Sequence, residues 1–156
     1  MAANNVSSLQ WKLFLFGIVK IPLIGFCRPR VHEVSDTHIS IKIPLKRRTR
    51  NHVKSMYLGV MSIGADLASG FLAYHLLLNR NLNAAPVFKT MKVEYLKRAE
   101  SAVYFNCNEG AAISEMIDEM ERTGERVNKV VTINAMCNGE YVAVFEVELS
   151  MKLKQA

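Results

Sequence analysis

Asp66 is the residue with the most evident chemical potential in this 156-residue chain, because between Ser55 and Asn79 no other side chain is acidic or strongly basic. A carboxylate among apolar neighbours must be paired, solvated by a cleft or shifted in pKa, and a raised carboxylate suits a general base or nucleophile. The competing reading is structural: an acid that pairs with or caps a neighbour at an oligomer interface. Just upstream stand Asn51, Tyr57, Leu58 and Gly59. The first N–H groups of a helix lack intrahelical partners and lie at the positive end of its dipole, so those of Leu58 and Gly59 can polarise a carbonyl oxygen. Asn51 has two readings, a substrate-orienting carboxamide and an ordinary cap or turn residue.

Cations precede this segment. Lys46, Arg47, Arg48, Arg50 and Lys54 form a basic run that either holds phosphates or is a solvated loop. Lys89 follows later, where strict alternation puts it on the face of Val87, Met91, Val93 and Tyr95; there a charge needs a partner or a ligand such as a phosphate, or must reach solvent from the strand end. His52 and His75 have no metal-ligand spacing and no Ser or Cys partner, so no metal is assigned.

The elements that must position these groups follow from periodicity. Residues 30–34 and 37–44 read as strands, the second with Ile39, Ile41 and Ile43 alternating against Ser40 and Lys42. Residues 55–78 form a long helix, apolar all round, which fits a membrane span by length but contains a central Asp, Ser62, Ser69 and His75. Downstream strands with polar outer faces favour a soluble sheet wrapped around this helix. Those strands begin at residues 87–95 and 102–107. A helix with Ile113, Met116, Ile117 and Met120 on one face follows Gly110, and Gly124 ends it. A hairpin then turns at Asn138-Gly139, with Tyr141, Ala143, Phe145, Val147, Leu149, Met151 and Leu153 expected inward.

This order predicts an α+β fold, a curved antiparallel sheet around one central helix, with an extra N-terminal helix and a short helix between strands. Residues 1–28 are expected to carry an amphipathic helix, about 9–20, packed on a domain of residues 29–156. Lys20 and Pro22 interrupt the apolar run of residues 13–26, the first ten residues hold no Lys or Arg, and no small-x-small cleavage site follows. Export and a membrane span are therefore disfavoured, while weak contact with a membrane surface remains open.

The stretch Asn51-His52-Val53-Lys54-Ser55-Met56-Tyr57-Leu58-Gly59, followed by Ala65-Asp66, resembles the active-site segment of hot-dog-fold thioesterases of the phenylacetate-type and DUF4442 branches. In those relatives an Asn precedes His-Gly-Gly at the start of the central helix, and an acid follows about two and a half turns later. Asn51, Gly59 and Asp66 fall on the Asn, second Gly and acid, while Tyr57 and Leu58 replace the His and first Gly. The resemblance implies an acyl-CoA or acyl-carrier thioesterase, with no cofactor beyond its substrate. It also implies a homodimer or tetramer whose sheets join edge to edge, with Asp66 supplied across the interface. The two replacements raise the alternative of a non-catalytic acyl-binding or scaffold protein.

Composition supports the frame without choosing within it. Twenty Lys and Arg against fourteen Asp and Glu give a net charge of +6, which suits polyanionic partners. Nucleic acid is not expected, since the basic run lacks interleaved aromatics and any accompanying binding motif. Three widely spaced cysteines, Cys27, Cys107 and Cys137, indicate buried thiols in a reducing, cytoplasmic setting rather than a disulfide framework or zinc site.

Overall fold

The computed structural model describes residues 2–154. Six antiparallel strands form a single sheet in the order β1-β2-β4-β5-β6-β3. They are β1 (Arg30–Val34), β2 (Ile39–Ile43), β3 (Val87–Tyr95), β4 (Val103–Cys107), β5 (Val127–Cys137) and β6 (Glu140–Met151). Ile39, Ile41, Ile43, Val103, Phe105, Val131, Ile133, Phe145 and Val147 are fully buried and make the lining of the sheet. They close on α3 (Leu58–Asn79), which is long and apolar enough to cross a membrane yet is mostly buried within the domain. Burial on nearly every side explains why its sequence has almost no amphipathic period. Ser62 and Ser69 need no outside partner there, because their hydroxyls donate to the Leu58 and Ala65 carbonyls one turn back.

Helix α3 starts three residues later than the apolar pattern suggests. Asn51 and Ser55 close a tight loop, Met56 N–H donates to the Ala99 carbonyl, and Tyr57 is extended (φ −66°, ψ 138°) as the residue before the first turn. Helix α4 (Gly110–Thr123) lies across the far end of α3 and ends at Gly124 in the left-handed region, as expected. Arg80 ties the two helices by pairing with Asp118 and Glu121. The hairpin turn also matches: Asn138 and Gly139 both have positive φ (51° and 77°).

Two β-bulges overturn parts of the alternation read from sequence. Register slips between Phe88 and Thr90, so Lys89 is an extra residue with no partner on β6. Phe88, Met91, Val93 and Tyr95 therefore face α3, whereas Val87 joins Thr90, Lys92 and Glu94 on the outer face, and Lys89 is exposed. In β6 the extra residue is Val142, opposite the step from Ala135 to Met136. Val142 turns inward and Tyr141 outward, and Tyr141 is exposed where strict alternation would bury it.

The N-terminal segment is a helical hairpin rather than one helix. Helix α1 (Ala2–Leu15) continues through a π-helical turn (Phe16–Lys20), and α2 (Pro22–Cys27) folds back on it. The backbones touch where they cross, since a Cβ on Gly17 would lie 2.8 Å from Gly25 N and one on Gly25 2.6 Å from Gly17 O. Leu9, Leu13, Ile24 and Cys27 bury against the domain. Gln10 reaches the sheet edge, its Oε1 accepting from Val31 N–H at 2.7 Å.

Candidate active site

Asp66 occupies the middle of α3, one turn after Ser62 and one turn before Gly70. Those neighbours fix the direction of the stripe they share. The Tyr95 phenol lies beside the Ser62 hydroxyl, and the Phe88 ring lies 3.3 Å from where a Cβ on Gly70 would sit. Asp66 thus faces β3, the last strand of the sheet, between contacts with its two ends. Among the described residues its carboxylate has no ion pair and no hydrogen-bond donor. Burial alone acts on it, pushing its pKa from the usual 3.8 up to about 6.

The start of α3 lies elsewhere. Leu58 and Asp66 are eight residues apart, hence about 12 Å along the helix axis. Met61 N–H is the first to find an intrahelical acceptor, the Tyr57 carbonyl at 3.0 Å, which leaves the Leu58, Gly59 and Val60 amides without backbone partners among the described residues. A groove of about 520 Å³ opens beside them, lined by Asn51, Ser55, Tyr57, Leu58, Tyr95 and Arg98 among others. The Tyr57 ring stands over Gly59, where an added Cβ would meet its Cε1 at 2.6 Å, yet the side chain is half exposed to solvent.

Asn51 shapes this loop. Its Oδ1 accepts from Val53 N–H (3.1 Å) and Ser55 N–H (3.0 Å), while its own N–H donates to the Ser55 carbonyl at 2.7 Å. The carboxamide oxygen is thereby committed to the turn, and the side chain still lines the groove.

The cations do not gather at one place. Arg47 and Arg48 line a different pocket, about 770 Å³, with Lys46, Arg28, Arg30 and Phe26. Arg50 and Lys54 line neither this pocket nor the groove, and Lys89 projects from the bulge in β3. Arg98, Lys97 and His52 are the basic residues of the groove, with Lys97 paired to Glu140 at 2.7 Å. Periodicity did not point to Arg98; only the path of the chain brings it to the start of α3. Ser55 Oγ, buried at the floor of the loop, has no partner among the described residues.

Other polar groups are structural. Thr49 is fully buried and pins the basic loop, donating to the Pro44 carbonyl (2.7 Å) and accepting from Lys46 N–H (2.9 Å). His75, buried near the end of α3, meets Asp36 Oδ1 at 3.1 Å, and Asn79 donates to the same oxygen. All three cysteines are free and buried, and burial raises the Cys107 thiol to about 11.

Residues 11–153 match a protein family described as a domain of unknown function, DUF4442. None of the curated proteins matches the chain. Among solved structures, a protein of unknown function from Chlorobaculum tepidum aligns at a TM-score of 0.84 and 13% identity, over 96% of this chain and 97% of that one. A Shewanella oneidensis protein, provisionally a thioesterase, aligns at 0.78 and 17% over 95% and 99%. A thioesterase from Haemophilus influenzae aligns at 0.71 and 13% over 95% and 90%. Identities this low establish architecture: the chain has the hot-dog fold, a sheet wrapped around a central helix.

Proposed function

The chain belongs to the DUF4442 family, and from that premise we propose that it is a thioester hydrolase acting on acyl-CoA or an acyl-carrier thioester. Ionised Asp66 takes a proton from water as the water oxygen attacks the thioester carbonyl carbon. The carbon–sulfur bond then breaks, giving a carboxylic acid and a thiol. The Leu58 and Gly59 amides stabilise the negative charge that develops on the carbonyl oxygen. The observation that carries this reading is the Asp66 carboxylate itself, unpaired among the described residues, raised to about 6 and aimed at the open side of the sheet.

Because Asp66 lies about 12 Å along the helix from the Leu58 amide, one copy does not present both to one carbonyl. A second copy resolves the distance. Antiparallel pairing of β3 with its own copy would run the two α3 helices in opposite directions, bringing the start of one toward the middle of the other. Phe88, Met91 and Tyr95 face α3 yet stay exposed, Phe88 at 37%, because the sheet stops at β3. Arg98 at the groove suits a coenzyme A phosphate.

Hydrolysis of an acyl-CoA panel by wild type and Asp66→Asn tests the proposal. A loss of about 10²–10⁴-fold is expected for the variant, and equal rates would reject it. Tyr57 supports a second reading, a non-catalytic acyl-binding protein, since its ring covers Gly59. Tight acyl-CoA binding by calorimetry with no turnover would favour that reading.

A further inference from the structure

The N-terminal hairpin presents an apolar surface that the domain leaves uncovered. Along α1 and the π-helical turn, Leu9, Leu13 and Gly17 are buried at a spacing of four, while Trp11, Phe14, Leu15 and Ile18 lie on the opposite side and are exposed, Trp11 at 61%. Helix α2 adds Leu23 and Phe26, both more than half exposed, next to buried Ile24 and Cys27. The close Gly17–Gly25 crossing holds the two helices together, so their outer faces form one continuous patch. Contiguous apolar surface on this scale marks an interaction site.

Charge identifies the occupant. Residues 1–32 contain Lys12, Lys20, Arg28 and Arg30 and no Asp or Glu. Phe26, at the margin of the patch, also lines the pocket of Arg28, Arg47 and Arg48, and the Arg48 guanidinium lies 5.1 Å from its ring centroid. A second copy of this face would bring like charges together, which is unfavourable. An anionic lipid surface instead takes the apolar side chains into its interface and pairs its phosphates with the arginines. We infer that the α1–α2 hairpin docks the protein onto anionic membranes, with Trp11 and Phe26 in the interface and the Arg28–Arg47–Arg48 pocket on a lipid headgroup phosphate.

Trp11 is the sole tryptophan, so its fluorescence reports this face alone. Full-length protein is mixed with vesicles of phosphatidylcholine, with or without phosphatidylglycerol, and followed by flotation and Trp11 emission. Wild type is expected to float with the anionic vesicles, with a blue shift of Trp11, and to be released by salt. Ile18→Asp with Leu23→Asp, both on exposed side chains, should abolish flotation. Arg47→Ala with Arg48→Ala should weaken partitioning about thirty-fold, from about 1 kcal/mol per cation. Asp66→Asn should float as wild type does, which separates this inference from the proposed catalysis. Failure of the wild type to float overturns the inference. So does equal flotation on neutral vesicles with no effect of the arginine changes, or Trp11 emission that is already blue-shifted without lipid and unchanged by it.

Discussion

The two edges of the sheet are finished differently. At β1 the N-terminal hairpin packs alongside the strand, Gln10 accepts from Val31 N–H, and the β1–β2 turn is tied to α3 and α4 through Asp36, His75 and Gly110 N–H. At β3 no further strand follows among the described residues: the strand pairs with β6 on one side only, carries a bulge at Lys89, and exposes Phe88, Met91 and Tyr95. An edge with free N–H and carbonyl groups invites another strand, and proteins usually blunt such edges. This chain covers the edge far from Asp66 and leaves uncovered the edge that Asp66 faces. The proposed pairing of two copies would give the uncovered edge a use.

Breaking the open edge should have the largest effect. Met91→Arg puts a charge on the exposed, helix-facing side of β3; it should yield monomers by analytical ultracentrifugation and reduce thioester hydrolysis at least about a hundred-fold. Its unfolding midpoint at monomer concentration should change little. Monomers that keep full activity would break the link between edge and site.

Gly110→Ala disturbs the closed edge instead. A Cβ there would lie 2.1 Å from the Asp36 carbonyl oxygen, and backbone must move to admit it. A stability loss of about 2–3 kcal/mol in urea unfolding is expected, by the cost of overpacking, with turnover per folded molecule preserved.

The pH dependence of Asp66 sharpens the contrast. Its folded pKa, about 6, exceeds the ordinary 3.8, so the folded protein holds the proton more tightly than the unfolded chain. The resulting cost to stability is absent below about pH 4 and fully present above about pH 6. Asp66→Asn should therefore be more stable than wild type at pH 7.5 by about 2 kcal/mol, at roughly 1.4 kcal/mol per pKa unit with a reduction for partial exposure. At pH 4 the two should unfold alike. Wild-type kcat/KM should climb with pH through about 6 and then level, since the base acts ionised.

Gln10→Ala should have the smallest effect. It removes one partly buried acceptor from the Val31 amide, costing about 1 kcal/mol in unfolding experiments with no change in hydrolysis.

Much of this contrast was visible in the residues and some was not. The alternation of Ile39, Ile41 and Ile43, the Asn138-Gly139 turn and the uncharged run around Asp66 are local signals, and each formed the element it implies. Bulges are not local signals, so Lys89 and Val142 displaced the faces assigned to Val87 and Tyr141. The N-terminal apolar run contained two faces where one was expected. Only the burial of Leu9, Leu13 and Gly17 shows which of them packs on the domain. Asn51 was open between orienting a substrate and closing a turn; its Oδ1 serves the turn. Arg98 reaches the groove by tertiary placement, which periodicity does not report.

Co-expression of Asp66→Asn with Gly59→Leu tests the composite site most directly. A leucine at 59 collides with the Tyr57 ring and blocks the start of α3. Each homodimer should then be inactive. In mixed dimers one of the two sites combines an intact Asp66 with an intact helix start, so a random mixture should recover about a quarter of wild-type activity. A mixture no more active than its components would contradict a site shared between two copies.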